Sequence, residues 1–167
     1  MDNFLKFLKI RRSIRVFDNK SISKKQLEKI VDAARFAPTA RNLQPWEFVV
    51  VTQKSKLSQL AEVAQNGKFM AQAVACIAVF SADTKYFLED GSAATCNILL
   101  ASTALGIGSC WVAGDKKPYC PQVNVLLNAP TGMKLISMVA LGYPQEKNVF
   151  KMTPKRELKA MLHWERF

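Results

Sequence analysis

Histidine is almost missing from this 167-residue sequence: His163, close to the end, is the sole example. The four cysteines, Cys76, Cys96, Cys110 and Cys120, stand at wide and irregular spacings and form no C-x-x-C pair. These two scarcities remove the ordinary ligand sets of a zinc or iron centre, so no protein-ligated metal is expected. They also exclude a disulfide framework, and three of the cysteines lie in apolar segments where a free thiol packs as a small hydrophobe. No G-x-G-x-x-G unit marks a separate dinucleotide-binding half. The longest apolar runs, Ala73 to Phe80 and Ala93 to Leu105, are too short or too polar to cross the ~30 Å core of a bilayer. The first ten residues, interrupted by Lys6 and Lys9, have neither the apolar stretch nor the small-residue cleavage site of an export signal. A cytoplasmic protein with no membrane partner is the expectation.

Acidic residues are scarce as well. There are 13 against 24 Lys and Arg, a formal net charge of +11. The excess is uneven: residues 1–30 hold nine bases and three acids, and residues 145–167 hold six and three. Such charge can serve solubility on solvated helix faces, or it can bring both ends of the chain to one phosphate. Nucleic acid is not the expected partner, because zinc-finger spacing, an RNP-like aromatic pattern and a long basic run are all absent. With 49% hydrophobic and 22% charged residues, the composition is that of an ordered globular protein, and residues 1–167 are expected to form a single domain.

Periodicity then places the elements. Phe4, Leu5, Phe7 and Leu8 share a helical stripe that leads into RRSIRVF. Ser23 to Gln26 has the form of a capping box, followed at helical spacing by Leu27, Ile30, Val31 and Ala34, and this helix should stop before Pro38. Strands are expected at Trp46–Thr52, Val74–Phe80, Cys110–Ala113 and Leu135–Leu141. Ser55 is expected to cap a helix closed by Asn66-Gly67, and a long helix with many small residues is expected at Tyr86–Leu105, ended by Gly106. Val123–Leu127 reads as helix, and Pro154 is expected to open a last short helix through Leu162. This order of elements predicts one α+β sheet domain.

Two segments carry chemistry. In Arg11-Arg12-Ser13-Ile14-Arg15-Val16-Phe17, an extended backbone would put Arg11, Ser13 and Arg15 on one face. That face suits an anion, since a guanidinium gives a phosphate two parallel charge-assisted bonds and a serine adds a small neutral donor; an arginine-rich turn facing water has the same composition. In Ala37-Pro38-Thr39-Ala40-Arg41-Asn42-Leu43-Gln44-Pro45-Trp46, small residues surround two amides. Asn42 and Gln44 each offer a donor and an acceptor, matching the mixed edge of a pyrimidine or flavin ring, although an Asx-rich turn also fits.

Taken together, RRSIRVF and the APTARNLQPWEF loop resemble the nitroreductase family of flavin enzymes. Two further matches follow in order, Ala104-Leu105-Gly106-Ile107-Gly108-Ser109-Cys110-Trp111 and Leu141-Gly142-Tyr143-Pro144, so the likeness spans nearly the whole chain. The resemblance implies an α+β fold, with a central, mostly antiparallel sheet flanked by helices, in an intertwined homodimer whose flavin mononucleotide (FMN) sites lie at the subunit interface. It implies Arg11, Arg12, Ser13 and Arg15 on one side of the FMN, with Arg11 and Ser13 on the phosphate or ribityl chain and Arg15 near the pyrimidine edge. Pro38, Thr39, Ala40, Asn42 and Gln44 would come from the second subunit. Trp111, Val112, Ala113 and Gly114 would lie against the ring, where a backbone N–H approaches N5 and Gly114 permits the approach. Lys155 and Arg156 would return to the phosphate, and Asn66 would be an additional ring contact.

The implied activity is FMN-dependent transfer of hydride from NAD(P)H to a small organic acceptor such as a nitroaromatic or quinone, with ping-pong kinetics. A flavin-binding or flavin-sensing protein of the same fold with little turnover is the alternative. The flavin would carry the chemistry, with no catalytic side chain and with Arg15 as electrostatic support. Thr39-Ala40 stands where serines are common in the family, so one hydroxyl contact is expected to be missing. The short chain implies reduced helices over the substrate face. His163, Trp164 and Cys110 are given no role, Cys110 because its sequence neighbours Ser109 and Trp111 supply no base to lower its pKa.

Overall fold

The computed structural model describes residues 2–167, with side chains from Leu5 onward, so Phe4 of the first stripe lies outside the described side chains. In chain order the elements are α1 (Asp2–Ile10), α2 (Lys24–Ala34), β1 (Trp46–Val51), α3 (Lys54–Val63), β2 (Ala75–Ser81), α4 (Phe87–Ala104), β3 (Gly108–Ala113), α5 (Cys120–Leu126) and β4 (Lys134–Gly142). The four strands pair in the order β1-β2-β4-β3, every neighbouring pair antiparallel. This is the expected α+β architecture. No helix among the described residues is long and apolar enough to cross a membrane.

The two inner strands explain why their sequences read as unbroken apolar runs. β2 is buried at all seven positions and β4 at all but its first, because both faces of the sheet are covered. On one face Ile77, Val79, Val139 and Leu141 meet Leu27 and Ile30 of α2 and Ile98 and Leu99 of α4. On the other, Cys76, Ala78, Phe80, Met138 and Ala140 meet Leu57 and Leu60 of α3 and Val123 of α5. A sheet locked between two apolar layers has one register, since a one-residue slip would exchange the two sets.

Local chemistry sets most of the boundaries. At α2 the Gln26 N–H donates to Ser23 Oγ at 3.3 Å and the Ser23 N–H to Gln26 Oε1 at 3.1 Å, the expected capping box. At the end of α4, Gly106 takes φ +70°, and the N–H groups of Gly106 and Ile107 reach back to the carbonyls of Thr103 and Ser102. Glycine adopts that left-handed turn without a Cβ penalty.

Four expectations are corrected. Ser55 does not cap α3: the ladder begins with Leu57 N–H donating to the Gln53 carbonyl, which puts Ser55 inside the first turn. Nor does Asn66-Gly67 close that helix, which ends at Ala64 in extended backbone; Gly67 has φ −113° and is small because a Cβ there would sit 2.9 Å from Ala64 Cβ and 3.1 Å from Val112 Cγ1. Helix α5 starts earlier than expected, with Pro121 in its first turn. The helix expected at Pro154–Leu162 shrinks to one 3-10 turn, Leu158–Ala160. Leu158, Met161 and Leu162 are exposed, and so short a helix with no apolar face to pack does not hold.

Candidate functional site

RRSIRVF lies along the outer edge of β3. Ser13 bridges Ser109 in parallel and Phe17 bridges Pro144 in antiparallel fashion, with the Ile14 N–H donating to the Ser109 carbonyl at 2.9 Å. Phe17 is buried against Gly142, where a Cβ would come within 2.7 Å of its ring. With Phe17 anchored inward, the basic residues turn the other way. Arg11, Arg12, Ser13 and Arg15 line a cavity of about 660 Å³ with Leu8, Lys9, Met152, Thr153 and Lys155. The two basic ends of the chain therefore meet.

The charge of this cavity is uncompensated. None of its five cations is within ion-pair distance of a carboxylate among the described residues, and Arg12 Nη1 is buried with no hydrogen-bond partner among them. A buried guanidinium nitrogen without an acceptor is costly unless an anion completes it. A second cavity, about 720 Å³ between α2 and β1, makes the contrast: its two cations, Lys24 and Arg35, already pair with Glu28 and Asp32. Arg15 lies over the Phe69 ring at 5.7 Å, which fixes one wall of the basic cavity. Arg156 is not part of the lining; it donates to the Ala160 carbonyl at 2.9 Å.

The amide loop is elsewhere. It runs into β1, at the opposite edge of the sheet from β3, so three strand spacings of about 4.8 Å separate the edges, roughly 14 Å. Arg41, Asn42 and Gln44 have φ of +55°, +55° and +50°. The Gln44 N–H donates to Thr39 Oγ1 at 3.2 Å, and Gln44 Nε2 to Asn42 Oδ1 at 3.2 Å. Asn42 and Gln44 are exposed, so their outer edges are open to a ligand.

A model described as the nitroreductase family matches residues 8–82, and one described as "Putative TM nitroreductase" matches residues 55–165. Over the full length of both chains the protein is 37% identical to an Archaeoglobus fulgidus relative named "Putative NADH dehydrogenase/NAD(P)H nitroreductase". The chain belongs to the nitroreductase family. Its fold superimposes on a Bacteroides thetaiotaomicron structure of the same description with a TM-score of 0.92 and 27% identity, covering 99% of this chain and 98% of the other. An FMN-dependent nitroreductase of Clostridium difficile matches with a TM-score of 0.88 and 29% identity, covering 98% and 99%.

Within this nitroreductase-family fold, Gly114 is demanded from a side the sequence did not reveal. Its N–H donates to the Ile136 carbonyl at 3.0 Å, and a Cβ would lie 2.6 Å from the Leu135 carbonyl oxygen and 2.7 Å from that of Ile136. Gly114 thus serves the β3–β4 ladder. Since bonded and non-bonded positions alternate along an antiparallel pair, and Gly114 is bonded, the N–H groups of Trp111 and Ala113 point away from β4.

Cys110 is closer to positive charge than its sequence neighbours foretold. Burial pushes its thiol up, against the opposing pull of Arg15, a bond to Ser13, and Arg11. Desolvation wins, so the thiol stays protonated and unreactive. Phe69, Met152 and Thr153 were missed as site residues, and no local signal marks them: Met152 and Thr153 line the cavity from the tail, and Phe69, in a 3-10 helix at Lys68–Gln72, supports the lining residue Arg15. Asn66 lies in the turn between α3 and that 3-10 helix and is exposed.

Proposed function

We propose that the chain works as a single FMN-binding domain, that it acts as a homodimer in the cytoplasm, and that it moves hydride equivalents from NAD(P)H to a small organic acceptor such as a nitroaromatic or quinone. The observation that carries this is the cavity in which Arg11, Arg12, Ser13, Arg15 and Lys155 converge without an acidic partner among the described residues. A phosphate monoester fits that donor set: a dianion for the guanidinium forks and Lys155, a small hydroxyl donor at Ser13, and an acceptor for the orphaned Arg12 Nη1. Support for the flavin and the nicotinamide comes from the names of the relatives.

Arg11, Ser13 and Lys155 would hold the phosphate, and Arg15 would sit toward the ring. Bound FMN would supply the hydride chemistry. Pro38, Thr39, Ala40, Asn42 and Gln44 lie just before β1, at the opposite edge of the sheet from the β3 side that carries Arg11, and in this reading the loop that meets the flavin comes from a second copy. Trp111, Val112 and Ala113 would lie along the ring, with the outward N–H groups of Trp111 and Ala113 available to it. Anaerobic addition of NADH or NADPH to the yellow protein should bleach the flavin absorbance. A flavin that binds and stays oxidised would make the chain a flavin-binding or flavin-sensing protein without turnover.

Arg15→Ala should leave FMN bound and make it harder to reduce, because reduction places negative charge near the pyrimidine edge. One such cation–anion contact is worth about 1.4 kcal/mol, or about 30 mV for a two-electron couple. Spectral titration against a redox dye should give a midpoint potential more negative by that order. An unchanged potential would remove Arg15 from the ring.

A further inference from the structure

Asp90 lies in the first turn of α4 and is only 5% exposed. Its Oδ1 accepts the Ala40 N–H at 3.1 Å, across fifty residues of sequence, while its Oδ2 is buried without a hydrogen-bond partner among the described residues. Half a carboxylate is thus left unsatisfied at this point of the fold, which weakens stability. The loop that it holds is also unfavourable by itself. Arg41 and Gln44 carry a Cβ into the left-handed region, which is uphill for such side chains. The remaining hydrogen bonds of residues 39–44 run within the loop, so among the described residues the Asp90 bond is the one hydrogen bond that joins this stretch to the rest of the fold. Strain persists where the surroundings over-determine it, and such places cluster at binding sites.

We propose that Asp90 is a positioning residue for the ring side of the flavin site. It accepts the Ala40 N–H and thereby keeps Thr39 to Gln44 in the conformation that presents Asn42 and Gln44 to the flavin of the second copy. This rests on the flavin assignment above.

The test compares the parent, Asp90→Ala and Asp90→Asn, each freed of flavin and titrated with FMN and with riboflavin, which lacks the phosphate. Asp90→Ala should weaken both flavins by the same factor, about tenfold, because the loss is on the ring side. The flavin-free variant should fold and melt within a few degrees of the parent, since relief of an unsatisfied buried oxygen offsets the lost acceptor of the Ala40 N–H and the lost acid at the start of α4. Asp90→Asn keeps an acceptor and should recover most of the binding. An Asp90→Ala protein that binds both flavins as the parent does would overturn the proposal. So would one that melts clearly lower or fails to fold, which would make Asp90 a structural residue, and so would an Asp90→Asn protein as impaired as the alanine variant. A parent that binds neither flavin would end the flavin assignment, and this proposal with it.

Discussion

Arg11→Ala should raise the FMN dissociation constant about 100-fold and leave that of riboflavin unchanged. Arg11 lies at the start of the extended segment and lines the basic cavity beside Ser13 and Lys155. A hydrogen bond to a charged group contributes about 1.5–3 kcal/mol, and a bidentate guanidinium makes two. At 1.4 kcal/mol per factor of ten, the loss is near two decades even after the other cations compensate in part. Titrating both flavins separates phosphate from ring. Equal weakening of the two would place Arg11 away from the phosphate.

Gly114→Ala should be strongly destabilising, at roughly 3 kcal/mol or more. The new methyl would stand 2.6–2.7 Å from backbone atoms of Leu135 and Ile136, and a paired central strand cannot retreat as a flexible side chain can. Overpacking in a close-packed interior typically costs 1–3 kcal/mol, and here the obstacle is main chain. For a chain of this size each kcal/mol lowers the melting midpoint by about 2–4 °C, so the drop should be on the order of 10 °C. Gly106→Ala is the control. Nothing lies within 4 Å of its added Cβ, so only the left-handed backbone is penalised, at about 1 kcal/mol. If the two variants melt alike, steric contact with β4 is not what requires Gly114.

What the sequence disclosed depended on how local the physics was. The capping box at Ser23 and Gln26 and the glycine stop at Gly106 are read within a few residues, and both are seen in the structure. The β-branched and apolar runs marked Trp46–Thr52 and Val74–Phe80 as buried strands; β2 is buried throughout, whereas β1 is an edge strand with exposed positions, because edge position is set by the pairing order and not by local composition. The tail failed, because Pro154 marks a helix start only if the turn that follows finds something to pack against, and Leu158 and Met161 do not. Arg11, Ser13 and Arg15 were legible by alternation, and Lys155 by the basic bias of the tail together with the family resemblance. Phe69 and Asp90 were not legible, since one acts by stacking under an arginine and the other through a bond across fifty residues. Cys110 shows the same limit: its charged neighbours come from a segment almost a hundred residues earlier, joined to it by the Ser13–Ser109 bridge.

The placement of the arginine cavity and the amide loop at opposite edges of one sheet gives the account its sharpest consequence. A chain carrying Arg11→Ala can be co-expressed with one carrying Asn42→Ala and Gln44→Ala, and the mixed dimer purified through two different tags. If each flavin is held by the cavity of one copy and the loop of the other, the mixed dimer regains a single intact site, and flavin content recovers to about half that of the parent dimer. If each chain builds its own site, every site in the mixed dimer carries a defect and no recovery occurs.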